Sequence, residues 1–264
     1  MAPTRVASGG TALKQVITLL GLGLIPVALV IGLVVGTYRV GTIGMDFTGG
    51  IWNGTHALLH GHVPYRPDRI HHLLDLVRVH GVPPHVEEVA YPPAALVAAL
   101  PFALLPHTVS ACLWVLILCA LPALSLSLVG VRDWRCYGAA YLSLPVLHGV
   151  VLGNPTVVMM LGLALCWRWR DRVFACAGAL AMMLALKLTG LPLLVWLVAI
   201  RRTRTAAVAA LIALVATVAG FAIIGFGEVS AYITVASGLA RAQEASSYSL
   251  SALAAALGIP GASH

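Results

Sequence analysis

Residues 16–36 read VITLLGLGLIPVALVIGLVVG, an unbroken apolar run of about 21 residues, and a run of that length can cross a bilayer as one helix. Similar runs recur along the chain, which is 60% hydrophobic and only 9% charged. Soluble domains are typically about 25% charged. We therefore predict an all-α fold, a polytopic transmembrane helical bundle that forms a single domain over residues 1–264.

The formal net charge of +7 is spread over short basic clusters between the apolar runs. This pattern follows the positive-inside rule of membrane proteins and does not indicate a nucleic-acid partner. Arg5 and Lys14 precede the first run, so we predict a cytoplasmic N-terminus and a multi-pass protein of the cell membrane. The run exceeds the 7–15 apolar residues of a signal peptide, so we expect it to be an uncleaved first helix.

Residues 92–106 decide which later helix ends share a side of the membrane. This run of about fifteen residues contains Pro101 and reaches roughly 22 Å, short of a hydrocarbon core of ~30 Å. If it does not cross, three later basic clusters all face the cytoplasm, whereas if it crosses they all face outside. We favour the non-crossing topology because it alone obeys the charge rule. The clusters are Arg132/Arg135, Arg168/Arg170/Arg172 and Arg201/Arg202/Arg204. This topology places four polar side chains from separate parts of the chain at the outer face: Asp46, Asn154, Lys187 and Glu228.

A polar outer loop over residues 38–91 follows the first run and opens close to Asp46. Within it, residues 47–60 and 70–80 show helical spacing of apolar side chains and are expected to lie at the membrane interface. A second outer amphipathic stretch covers residues 227–241, and residues 247–259 resemble a further short helix. Asp46 itself has two interpretations: a general base at the membrane surface, or an ordinary helix-capping or interfacial carboxylate.

Lys187 stands between two apolar segments, and a charge in such a place is a functional hypothesis by default. It would hold a phosphate in a polar cavity, or its side chain would extend to the interface. Arg66, beside Tyr65, has a similar pair of roles, as a phosphate contact or a headgroup contact.

The histidines His56, His60 and His62 have a spacing seen among metal ligands, and Glu87 and Glu88 would complete such a site. Interfacial histidines without metal are the alternative, and we expect a metal-independent protein without a cofactor.

Three motifs in the outer loop carry a resemblance to a known family. They are Met45-Asp46-Phe47, the stretch ALLHGHVPY over residues 57–65, and Tyr91-Pro92-Pro93. In this order they resemble the outer loop of GT-C membrane glycosyltransferases, and in particular of glycosyltransferase family 87. The resemblance covers about residues 10–250. It implies that Asp46 is the catalytic base, that Gly153-Asn154 matches a Gly-Gln turn, and that Lys187 matches an intramembrane lysine.

The resemblance implies a transferase that moves mannose or arabinofuranose from a polyprenyl-phosphate donor to a lipid-linked cell-envelope acceptor at the outer face. Lys187 and Arg66 would bind the donor phosphate, and Tyr65, Asn154 and Glu228 would bind substrate. Members of the family are typically longer, so the expected alternative is a truncated, non-catalytic homologue that binds polyprenyl lipid or scaffolds an envelope assembly. A transporter is a third hypothesis, but the sequence shows no repeat of the kind that transporters contain.

Overall fold

A computed structural model describes residues 9–80 and 89–242 of the chain. Within these ranges the regular structure is entirely helical, and three helices are long and apolar enough to cross a membrane: Leu13–Arg39, His107–Leu128 and Thr203–Ile224. The first seven helices are α1 Gly9–Leu19, α2 Ile25–Arg39, α3 Asn53–Leu59, α4 Pro67–His80, α5 Pro93–Ala98, α6 Leu100–Ala103 and α7 His107–Leu128. The remainder are α8 Trp134–Leu142, α9 Leu144–Leu152, α10 Thr156–Arg168, α11 Val173–Leu186, α12 Leu191–Ala199, α13 Thr203–Ile224 and α14 Val229–Ala242. The all-α prediction is confirmed.

A proline shapes the first long helix. Helices α1 and α2 are continuous through a π-helical turn, Leu20–Leu24, which directly precedes Pro26. Pro26 has no N–H to donate to the carbonyl four residues earlier, so the Leu22 carbonyl loses its helical partner. That carbonyl lies against Gly138 of α8, at a distance that leaves no room for a Cβ atom there. Next to Pro26 the first helix therefore contains a widened turn, which a neighbouring helix approaches closely.

The predicted run over residues 92–106 is broken into two short helices. Helices α5 and α6 contain six and four residues, which together extend about 15 Å. The break falls at Ala99, two residues before Pro101. Leu96 is fully buried, and the Pro93–Ala94 backbone lies so close to Gly220 of α13 that a Cβ there would come within 2.8 Å of the Ala94 nitrogen. Helix α5 is therefore packed inside the protein, whereas Leu104, after α6, is exposed, and neither helix has the length of a membrane span.

Helices α7, α10, α11 and α13 pack on one another in that order. Helix α11 packs most extensively on α13 and also on α10, which in turn packs on α7. Residues 134–152 form two helices and not one continuous helix. The break is at Ser143, whose backbone is extended, two residues before Pro145. Proline cannot continue the hydrogen-bond ladder of a helix, which accounts for the interruption.

The amphipathic helices α4 and α14 pack against each other. Helix α4 begins at Pro67, three residues earlier than the periodicity predicts, because proline suits the first helical position. Ile70 and Leu73 of α4 are buried, and Ile70 packs directly over Gly238 of α14. The apolar side of α4 is therefore covered by protein. The expected helix over residues 247–259 and the candidate metal ligands Glu87 and Glu88 lie outside the described residues.

Candidate active site

Asp46 opens the helical segment that leads into α3. The preceding Gly44 has a left-handed backbone, with φ of +62°, and turns the chain into this segment. The Asp46 side chain makes no capping hydrogen bond to the π-helical turn Phe47–Trp52 that follows it. The capping role considered for this residue is therefore not the one it has, and its half-buried carboxylate is turned to other partners.

Asn154 is the principal partner of Asp46. Its Nδ2 donates to Asp46 Oδ2 at 2.7 Å, across 108 positions of sequence. Its Oδ1 accepts from the Thr156 backbone N–H at 2.9 Å and so caps the start of α10. Both ends of the amide are thus in use, which fixes its orientation. A hydrogen bond to a charged acceptor of this length is of the strong kind.

Two glycines allow the Asp46 and Asn154 loops to meet. Helix α9 ends at Leu152, and the next residue, Gly153, has φ of +74° and lies against the backbone of Gly44. A Cβ at residue 153 would come within 2.6 Å of the Gly44 Cα. Gly153 directly precedes Asn154, and Gly44 lies two residues before Asp46. The contact between the two glycines therefore sets the distance between the carboxylate and the amide.

Trp114 of α7 supports both loops, and no sequence signal singled it out. Its ring stacks on Phe47 with a centroid distance of 4.5 Å, and its Nε1 donates to the Gly153 carbonyl at 2.8 Å. Phe47 follows Asp46, and Gly153 precedes Asn154, so one side chain contacts the neighbours of both polar residues. Trp114 is only 9% exposed, and in sequence it is one aromatic residue within a long apolar run.

Lys187 directly follows the last residue of α11. Its backbone is extended, with φ of −159°, which ends the helix before a short 3-10 turn, Leu188–Gly190. Its Nζ donates to Thr156 Oγ1 at 3.4 Å, a long contact that leaves the ammonium other donors. Burial lowers the pKa of Lys187, and the nearby Asp46 carboxylate opposes that shift. Asp46, Asn154 and Lys187 thus lie close together in the structure.

Tyr91 lines the same region from the α5 side. Its ring packs so closely on Gly50 that a Cβ there would come within 2.5 Å of it. Burial, and after it the Asp46 carboxylate, raises the pKa of Tyr91 well above the ordinary value, so the phenol stays protonated. Its backbone carbonyl accepts the Tyr65 hydroxyl at 3.0 Å. The Tyr91-Pro92-Pro93 motif is therefore part of the wall beside Asp46.

Tyr65, Glu228 and Arg66 lie in the neighbouring region formed by α4 and α14. Tyr65 is 3% exposed, and burial, then Tyr232 and Glu228, raises its pKa above the ordinary value. Glu228 closes the 3-10 turn before α14. Arg66 lines an open polar pocket of about 520 Å³ together with His62 and Asp68. Among the described residues, no hydrogen bond or ion pair joins Tyr65, Glu228 or Arg66 to Asp46, Asn154 or Lys187.

Two histidines of the outer loop, His56 and His60, pack ring against ring, and His56 stacks on Trp52. The rings of Trp52 and His56 lie 4.6 Å apart, and those of His56 and His60 lie 4.3 Å apart. The Nδ1 atoms of His60 and His62 are bonded to the backbone carbonyls of His56 and His60 respectively. In the described part of the chain, no three His, Cys, Asp or Glu side chains converge in the manner of a metal site.

The comparisons with known proteins give one match. The family model described as Glycosyltransferase family 87 matches residues 90–262, about two thirds of the chain. The matched region contains Asn154, Lys187 and Glu228, whereas Asp46, Tyr65 and Arg66 lie in the part that precedes it. No curated protein and no solved structure matches the chain.

Proposed function

The chain belongs to glycosyltransferase family 87, and from this we propose that it transfers a sugar from a polyprenyl-phosphate donor to a lipid-linked acceptor at the outer face of the membrane. Family membership indicates a membrane glycosyltransferase. The observation that supports the finer proposal is the meeting of a carboxylate, an amide and an ammonium from three distant parts of the chain. Mannose and arabinofuranose are the sugars that the family resemblance favours.

In this proposal Asp46 is the general base. Asn154 occupies its Oδ2, and in the described part of the chain no hydrogen bond to Oδ1 is present, so that oxygen is available for an acceptor hydroxyl. The amide donor holds the carboxylate in one orientation, which is what proton abstraction requires. Because the Asp46 carboxylate does not cap the following turn, no backbone N–H of that turn competes for it.

At the anomeric carbon, the reaction breaks one bond and forms one bond. The acceptor oxygen attacks the anomeric carbon, its proton passes to Asp46, and the bond from that carbon to the phosphate oxygen breaks. The electron pair leaves with the polyprenyl phosphate, whose growing negative charge the Lys187 ammonium stabilises. The sugar acquires oxocarbenium character on the way, and the Asp46 carboxylate favours that positive charge.

An apolar groove beside the first helix supports a long lipid chain on the donor. The groove measures about 570 Å³ and runs between the first helix, α7 and α8. At one end it includes Trp134 and Tyr137, and at the other Val34, which packs against the core around Phe47. That core includes Phe47, the neighbour of Asp46, and on this ground we propose that the phosphate end of the lipid lies toward Val34. Arg66, in its open polar pocket, is proposed as a second phosphate ligand, and Tyr65, Asn154 and Glu228 as substrate contacts.

The test is transfer of labelled sugar from synthetic polyprenyl-phosphate mannose and arabinofuranose in membranes that contain the full chain. Asp46→Asn should lower the rate by about 10²- to 10⁴-fold, the usual contribution of a general base. Asp133→Asn is the matched control, since Asp133 caps α8 and asparagine caps a helix equally well. Full activity in Asp46→Asn would refute the proposed role. Wild-type protein that binds both donors without turnover would favour the non-catalytic alternative.

A further inference from the structure

Two arginine-rich turns meet at the end of the bundle opposite Lys187. One connects α10 to α11 and the other connects α12 to α13. Arg202 joins them, because its guanidinium donates to the Arg170 carbonyl and, at 2.9 Å, to Asp171 Oδ1. Together the turns carry six arginines and one carboxylate: Arg168, Arg170, Arg172, Arg201, Arg202, Arg204 and Asp171. We call this set the basic turn pair.

An apolar cavity of about 210 Å³ opens beside the basic turn pair, between α10, α11 and α12. Its interior is formed by leucines and two cysteines, and Arg170 and Arg202 stand among its lining residues. Trp167 and Trp196 also line it and are 53% and 48% exposed. An apolar interior with tryptophans and arginines around it is typical of the membrane–water boundary, where aromatic rings and basic side chains gather.

The positive charge of the basic turn pair is largely uncompensated. Asp171 accepts from Arg202 at 2.9 Å and lies 3.7 Å from Arg170, so it is shared by two guanidinium groups. In the described part of the chain, no carboxylate is paired with the other four arginines. The Arg170 guanidinium lies 4.9 Å above the Trp167 ring, which holds it next to the cavity.

We propose that this cavity binds one anionic phospholipid, with an acyl chain among the leucines and the headgroup phosphate on Arg170 and its neighbours. A basic pocket between membrane helices suits such a headgroup, and the anionic lipids of a membrane supply both parts of the ligand. The site goes beyond the proposed transferase function. It lies at the other end of α11 from Lys187, about 21 Å away along a 14-residue helix.

The experiment measures lipid retention by the purified full chain in detergent, using native mass spectrometry with added phosphatidylglycerol or phosphatidylcholine. Phosphatidylglycerol should be retained at least tenfold more strongly. Arg170→Gln/Arg202→Gln should weaken its binding by about 25-fold, since each basic residue near an anionic lipid contributes about fivefold. Arg170→Gln alone should weaken it about fivefold and keeps the Arg202 contacts between the turns. The matched control is Arg132→Gln/Arg135→Gln, which removes two exposed arginines from another basic cluster and should leave retention unchanged.

A second variant tests the cavity without changing the charge. Leu193→Trp places a larger side chain in the apolar interior and should lower phosphatidylglycerol retention, while the unfolding temperature verifies that the chain is folded. Soluble glycerol phosphate, in excess, should not displace the lipid. Equal retention of the two lipids would overturn the proposal, as would equal binding by Arg170→Gln and the control. Displacement by glycerol phosphate would also overturn it, because the site would then be a simple anion site.

Discussion

The contact between Gly44 and Gly153 predicts a large effect of adding a single methyl group. Gly153→Ala introduces a Cβ within 2.6 Å of the Gly44 Cα and within 3.1 Å of the Gly44 carbonyl carbon and oxygen. Nonbonded carbon atoms prefer about 3.5–4.0 Å, so the two loops must separate by roughly 1 Å. The hydrogen bond from Asn154 Nδ2 to Asp46 Oδ2, now 2.7 Å, would lengthen to roughly 3.7 Å, beyond the range of a true hydrogen bond.

Two energetic costs follow from this substitution. The left-handed backbone of residue 153, with φ of +74°, costs an alanine about 1–2 kcal/mol. The crowding against Gly44 adds about 1–3 kcal/mol, the usual range for an overpacked site. The catalytic effect should be larger than the loss of stability suggests, since a displacement of about 1 Å can lower a rate by about 10²-fold.

Gly41→Ala is the matched control for this prediction. Gly41 has the same φ of +74°, and a Cβ there would meet nothing within 4 Å. Both variants therefore carry the backbone strain, and only Gly153→Ala carries the crowding. The assay is sugar transfer in membranes, with the unfolding temperature of the purified chain measured in parallel. Equal transfer rates in the two variants would show that the glycine contact does not position Asp46.

Three further predictions concern side chains around Asp46. Trp114→Phe keeps an aromatic ring against Phe47 and removes the N–H that donates to the Gly153 carbonyl. The unfolding free energy should fall by about 1 kcal/mol and the rate of sugar transfer by about tenfold. The control variant Trp169→Phe should keep the wild-type transfer rate. Asn154→Asp retains the acceptor for the Thr156 N–H but places a second carboxylate against Asp46, so transfer should fall by at least about 10²-fold while Asn154→Gln retains part of the rate. Lys187→Met should lower kcat/KM for a polyprenyl-phosphate donor by about 10²-fold, and Lys14→Met should not. An Asn154→Asp protein with the wild-type rate, or a Lys187→Met protein with an unchanged kcat/KM, would contradict the assigned roles.

The sequence was informative where membrane physics limits the alternatives. Apolar length placed the long helices, because a span needs about 20 residues. The three basic clusters then placed Asp46, Asn154 and Lys187 at one end of the bundle, and the structure brings these three together. The same reasoning assigned Glu228 to the outer face with them, and in the structure Glu228 lies near Tyr65. The positive-inside rule assigns a residue to one side of the membrane and does not resolve its position within that side.

The details of the site depend on contacts between distant residues that no local pattern encodes. Trp114 looks like any aromatic residue of an apolar run, and its importance arises from where α7 passes the two loops. Gly44 and Gly153 are separated by more than one hundred positions, so their contact is visible only in three dimensions. Pro101 and Pro145 each follow a helix break by two residues, at Ala99 and Ser143, but a proline alone does not fix a break, since Pro122 lies inside the continuous helix α7.

The closeness of Leu22 to Gly138 has an evolutionary consequence. Pro26 leaves the Leu22 carbonyl without a helical partner, and only a residue without a side chain allows α8 to cover that carbonyl. Residues 26 and 138 should therefore vary together among related chains. Where residue 26 is not proline, the first helix regains its ordinary ladder, and residue 138 becomes free to carry a methyl group or more. In a chain that keeps Pro26, replacing Gly138 by a larger residue would disrupt the packing of the first helix on α8.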